Sequence, residues 1–154
     1  MPKKNVDIFL IALNSPILIG IYEENVLIET IESQEKSSDI LPLLYKDLFK
    51  KYNVKQLFYT NGPGSFMAIK VAYIFLKSLS ILKNIPLFAT DAFKFNQNKP
   101  IKAIGKLCFV KIDSEIKTQK FKDVEEVVFE LPKQLVYEEF SKNTTPLYMI
   151  GAVG

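Results

Sequence analysis

The feature that most constrains this chain is a change in the spacing of its apolar residues near Ser37. Before that point, residues 6–13, 17–22 and 26–31 form short runs rich in β-branched side chains, separated by Asn14-Ser15-Pro16 and Glu23-Glu24-Asn25. These separators carry the residue types that turn a chain, so the three runs predict an antiparallel meander. Beyond it, Ile40, Leu41, Leu44, Leu48 and Tyr52 recur at helical spacing and predict a helix over 39–52. Ser37 or Ser38 suits its N-cap, Asp39 suits its first turn, and Pro42 is expected early enough that its missing N–H costs little. Residues 54–60 then read as a buried strand and Asn61-Gly62-Pro63-Gly64 as a turn, followed by a second helix from about 65 to 83 and a strand over 86–90. The order of three antiparallel strands, helix, strand, helix, strand implies an α/β unit whose later strands are joined by helical crossovers.

The texture changes at Asn96-Gln97-Asn98-Lys99-Pro100, which reads as a linker. We therefore expect a first lobe over 1–95 and a shortened second lobe over 96–154. The second would hold strands at 103–112, 117–122 and 125–131, a short helix near 134–141 and a last strand at 147–150. The chain carries no internal repeat and no low-complexity tract.

With 154 residues, 48% of them hydrophobic, the chain can bury a sizeable core. Its net charge of +3 comes from 20 basic against 17 acidic residues spread along the sequence, so no basic block exists to follow a phosphate backbone and no tight nucleic-acid binding is expected. The single cysteine, Cys108, lies in the apolar run Leu107-Cys108-Phe109-Val110 and reads as a small buried hydrophobe, which excludes a disulfide framework and favours the cytoplasm. The apolar run after Lys3 and Lys4 is broken by Asn14-Ser15-Pro16 without a small-residue cleavage site, unlike a secretory signal. The longest apolar stretch, 66–82, contains Lys70 and Lys77 and is not a membrane span. Histidine is absent, which removes Ser–His and Cys–His nucleophile pairs, histidine zinc sites and histidine general bases together.

Among the remaining candidates, Gly62-Pro63-Gly64 at a helix N-terminus has the position of a phosphate cradle. Pro63 removes a donor, however, and the Gly-Lys-Ser/Thr ending of a phosphate loop is missing, so a strand-to-helix turn is the expected role. Ser65 is expected to cap the helix. Asp113 with Glu115, and Asp123 with Glu125 and Glu126, fall at strand ends or turns where solvated charge is the default. Asp91 ends a core strand, where ligand groups gather in open α/β sheets, and is the single acid to watch. On the second helix, Lys70, Lys77 and Ser80 share one narrow face with Phe66 and Tyr73, and apolar groups fill most of the rest. That is wider than a surface helix needs, so cover on a second side is expected from this chain or another; Ala68 and Ala72 leave room for close approach.

The segment Gly62-Pro63-Gly64-Ser65-Phe66, the following helix with Ile69, Lys70, Lys77 and Leu79, and Ile85-Pro86-Leu87 resemble the most distinctive stretch of the TsaB (YeaZ) family. Ser37 and Ile40-Leu41-Pro42-Leu43-Leu44 resemble that family's first helix. The resemblance covers residues 6–93 and implies an actin-like, Hsp70-like ATPase-type lobe. There are departures: Asn14-Ser15-Pro16 replaces an Asp-Thr-Ser type turn, Lys36 a histidine, Ser38 a glutamate and Lys70 an arginine. The resemblance implies a non-catalytic scaffold subunit, without cofactor or metal, in the complex that makes threonylcarbamoyladenosine on tRNA. Its expected partners are the catalytic TsaD-type subunit and the TsaE-type ATPase, with a homodimer forming in isolation. Since the family dimerises through its first two helices, Leu41, Phe66, Ile69, Tyr73 and Leu76 are the expected contacts. The alternative is a small nucleotide-binding ATPase, phosphotransferase or peptidase-like enzyme of the same superfamily, which the missing histidines and hairpin carboxylate disfavour. An orphan homodimer without a role in tRNA modification is a third reading.

Overall fold

The computed structural model describes residues 2–147. Strands β1 (Asn5–Ile11), β2 (Ile17–Glu23) and β3 (Val26–Ser33) form the expected meander. Glu24 and Asn25 both take positive φ at the second hairpin, the backbone that matches the twist of two paired strands. Helix α1 (Ser37–Lys51) leads to β4 (Asn53–Thr60), and helix α2 (Phe66–Lys83) to β5 (Leu87–Thr90). The sheet order is β3-β2-β1-β4-β5, with β1, β4 and β5 parallel.

The central strands alternate between two buried faces. Ile8, Leu10, Leu57, Tyr59, Leu87 and Ala89 face one core, closed by Leu41, Tyr45 and Leu48 of α1 and by Ala72 and Leu76 of α2. Phe9, Phe58 and Phe88 face the other, in direct cross-strand register. Apolar side chains on both faces explain why these strands read as continuous hydrophobic runs.

The second face is covered by the residues after Asn96. A small antiparallel sheet holds β6 (Ile101–Lys102), β7 (Leu107–Ile112) and β8 (Glu115–Lys120), and contributes Ile101 and Phe109 to that core. Phe129 and Leu135 complete it from the following coil. The expected lobe boundary near residue 95 therefore marks a change of texture within a shared apolar core.

Several details differ from expectation. The α1 N-cap is Lys36, without a side-chain cap bond, instead of Ser37 or Ser38. Since the helix starts at Ser37, Pro42 lies beyond its first turn, where the lost N–H removes an intrahelical bond. Of the strand expected over 103–112 only β7 forms, because residues 103–106 turn the chain from β6 to β7, with Gly105 at a φ of +58°. Residues 125–131 form no strand because no neighbour pairs with them, and the helix near 134–141 shrinks to a 3₁₀ turn at Tyr137–Glu139. The strand expected at 147–150 lies outside the described residues except for Leu147.

The interior places of Leu41 (0% exposed), Ile69 (1%) and Leu76 (0%) correct their expected role as partner contacts. Each spends its apolar surface on this chain's own core, so none is available to another protein. Leu41→Ala is expected to cost about 2–5 kcal/mol of stability at any protein concentration, as a core truncation does. Urea unfolding at two concentrations checks this, since an interface residue would instead give a concentration-dependent midpoint.

Burial pushes the Asp7 carboxyl on β1 up from 3.8 to about 6. The folded state therefore favours the protonated form, and the contribution of Asp7 is most favourable below about pH 4 and is lost as pH rises through about 6. Asp7→Asn is expected to raise stability at pH 7 by about 1 kcal/mol after allowance for solvent screening, and to flatten the pH dependence of the melting temperature between those values.

Candidate functional site

The C-terminal ends of β4 and β5 bring together the turn singled out by sequence, Asp91 and the end of the described chain. Ser65 caps α2, its Oγ accepting from Ala68 N–H at 3.3 Å. Gly62 has a φ of +126°, a conformation open to glycine, and its carbonyl accepts from Ala92 N–H at 2.9 Å. The peptide bonds Ser15–Pro16 and Gly62–Pro63 are cis. A Cβ on Gly64 would meet Leu13 Cβ at 3.1 Å, and one on Gly62 would meet Ile69 Cδ1 and the Leu147 carbonyl, each at 3.1 Å. The turn is thus packed against Leu13 and Leu147.

The segment 141–147 lies across these strand ends. Ser141 exchanges two backbone hydrogen bonds with Ala89, at 2.7 and 2.9 Å. Tyr59 Oη donates to the Thr144 carbonyl, Asn61 Nδ2 donates to the Thr145 carbonyl at 3.0 Å, and Leu147 N–H donates to the Asn61 carbonyl at 2.7 Å. Thr60 Oγ1 and Asn61 Oδ1 are buried without a hydrogen-bond partner among the described residues.

Asp91 is committed to structure. One carboxylate oxygen accepts from Phe93 N–H at 3.0 Å and opens the 3₁₀ turn Ala92–Phe95, while the other meets Lys111 Nζ of β7 at 2.6 Å. The pair ties the small sheet to the end of β5. Sequence reasoning identified Asp91 but not Lys111, because the partners are twenty residues apart with no local signal. Asp113 and Ser114 take positive φ in the β7–β8 hairpin, and Glu115 pairs with exposed Lys117. Among the described residues no group of three or more cysteine or carboxylate side chains is placed to hold a metal ion. No helix among them is long and apolar enough to cross a membrane.

The expected contacts on α2 separate into two sets. Ile69 and Leu76 point inward, while Phe66 and Tyr73 are half-buried at the flank. The exposed face instead presents Met67 (62%), Ile74 (52%) and Ile81 (70%), with Lys70 and Lys77 exposed between them. Their seven-residue spacing places them on one stripe. On α1, Leu43 is 60% exposed. The sequence of α2 carries more apolar surface than one inward face needs, but only the sheet decides which stripe faces inward.

These elements recur in a solved structure of YeaZ from Pseudomonas aeruginosa, with a TM-score of 0.58 at 13% identity, covering 80% of this chain. The fold is that of YeaZ. A second solved structure, an uncharacterized protein with similarity to peptidase YeaZ from Pseudomonas aeruginosa, gives a TM-score of 0.54 at 14% identity over the same 80%. The mixed five-stranded sheet with its two helices is accordingly the actin-like ATPase-type arrangement. The present chain spans 66% of the length of each of these proteins. No protein-family model and no curated protein matches the sequence.

Because Gly62 combines a positive φ with packing against Ile69 and Leu147, Gly62→Ala is expected to destabilise the protein by about 1–3 kcal/mol. A urea titration of the purified variant checks it, and a loss below about 0.5 kcal/mol would show that the turn tolerates a side chain.

Proposed function

We propose that this chain is a TsaB-type subunit: a cytoplasmic, non-catalytic scaffold that pairs with a TsaD-type catalytic subunit and works with a TsaE-type ATPase in making threonylcarbamoyladenosine on tRNA. The YeaZ fold supports the family reading, as does the Gly62-Pro63-Gly64-Ser65-Phe66 turn at the start of α2. The observation that carries the partner role is the exposed stripe Met67, Ile74 and Ile81 on α2, one of the two helices through which the resembled family dimerises. Three large apolar side chains in line on one helix are left uncovered among the described residues. Lys70 and Lys77 along the stripe favour a partner carrying carboxylates beside its apolar contacts. With Asp91 paired to Lys111 and Ser65 used as a cap, neither is free to act as base or nucleophile, which supports a non-catalytic role.

In the absence of its partner the same stripe would satisfy itself across a two-fold axis. Ile74→Glu is expected to abolish both the homodimer and binding to the TsaD-type subunit of the same cell, with an unchanged circular dichroism spectrum, because an exposed side chain is being replaced. Ile69→Glu is expected to unfold the chain, since Ile69 is 1% exposed. Sedimentation of wild type and both variants, with and without the partner, is the measurement. Retained association of the Ile74 variant would overturn the assignment of this stripe.

A further inference from the structure

The stretch 121–132 shows a second unsatisfied surface, far in sequence from the α2 stripe. Burial alternates residue by residue from Glu126 to Leu131, the mark of an extended backbone showing opposite faces in turn. Val127, Phe129 and Leu131 point toward the core, while Glu126, Val128 and Glu130 point away. The flanks are fixed: Phe121 N–H donates to the Lys106 carbonyl and Glu130 N–H to the Phe95 carbonyl, each at 2.8 Å. Between them, residues 122–129 neither donate nor accept a hydrogen bond among the described residues. The chain bends at residues 122 and 123, and the alternating part from Glu126 on has the backbone of a sheet edge with no neighbouring strand among the described residues.

Residues 123–128 line a cleft of about 770 Å³ together with residues 94–97, Lys99 and Pro100. Phe95, Cys108, Phe121, Val127 and Leu131 supply apolar lining. The charged lining is unbalanced, with Asp123, Glu125, Glu126, Glu130 and Glu139 against Lys94 and Lys99. Lys94 is already paired with Glu139 at 3.1 Å, and the other four carboxylates have no cationic partner among the described residues. Four unpaired carboxylates against Lys99 give the lining an excess of negative charge that favours a cationic ligand.

We propose that this cleft is a docking site for an extended peptide segment of a partner protein, one that alternates basic and apolar residues and adds as a strand to residues 126–129. The unpaired backbone groups supply the ladder, the apolar lining receives alternate side chains, and the four carboxylates select lysine or arginine on the intervening positions. The proposal is independent of the TsaB-type role, because no residue of α1 or α2 lines the cleft.

The test uses the full chain with two short synthetic peptides, one alternating lysine with valine and the other glutamate with valine. Titration by fluorescence anisotropy at low salt is expected to give saturable binding of the lysine peptide and at least about ten-fold weaker binding of the glutamate peptide. The double substitution Glu125→Lys with Glu126→Lys is expected to weaken the lysine peptide by about ten-fold or more, with an unchanged circular dichroism spectrum because both side chains are exposed. Hydrogen exchange supplies the positional readout. Amides of 126–129 should exchange fast in the free protein and gain protection when the lysine peptide binds. Slow exchange of these amides in the free protein, equal binding of the two peptides, protection appearing elsewhere, or no binding at all would each overturn the proposal. The Ile74→Glu variant should bind the lysine peptide like wild type, so failure of the α2 reading and failure of this one are distinguishable.

Discussion

Three phenylalanines in register across the parallel strands set the terms for the rest of the molecule. Phe9 is opposite Phe58, and Phe58 is opposite Phe88, with the last two rings stacked at 5.2 Å between centroids. Each is worth roughly 1.5–3 kcal/mol if removed from water and costs as much if left wet. The helices contribute only Ile69 to the core of this row, because α1 and the rest of α2 pack on the opposite face against Ile8, Leu10, Leu57 and Tyr59. The chain beyond residue 90 must cover the row, and Phe95, Tyr137 and Phe140 pack onto it in tilted and edge-on contacts. A short, irregular tail is thereby held in place with little regular structure of its own.

That demand also explains the state of the strand ends. The coil that carries Tyr137 and Phe140 over the phenylalanine row continues as 141–147 across β5 and the Asn61–Gly64 turn, and Leu147 seats against Gly62. A position where open α/β sheets commonly receive ligands is here filled by the chain itself. The Asp91–Lys111 pair holds the small sheet to the same edge. Asp91 and Ser65 are thus engaged in structural bonds, while uncovered surface accumulates elsewhere among the described residues, on the outward stripe of α2 and in the cleft beside residues 122–129.

Much of this was legible without coordinates where the signal was local. The boundaries of β2, β4 and α2 fall within about two residues of where turn chemistry and periodicity place them. The Ser65 cap and the glycine requirement at 62 follow from residue types alone. The errors have a common cause. Glu125 to Leu131 has the β-branched and aromatic residues of a strand but lacks a partner among the described residues, and a strand exists only as half of a ladder. Leu41, Ile69 and Leu76 were apolar in the right places for an interface and equally right for a core.

The sequence by itself determined the order of elements and the positions of the turns, because hydrophobic period and the backbone preferences of glycine, proline and asparagine act over a few neighbouring residues. Only the tertiary structure decided which side of α2 was inside. A helix that is apolar nearly all round has no intrinsic inward face, and docking on the sheet buried Ile69, Ala72 and Leu76 while leaving Met67, Ile74 and Ile81 in water. The same holds for the pairing of Asp91 with Lys111 and for the bare backbone at 122–129. Both depend on what long-range packing brings beside a residue, and sequence spacing carries no record of that.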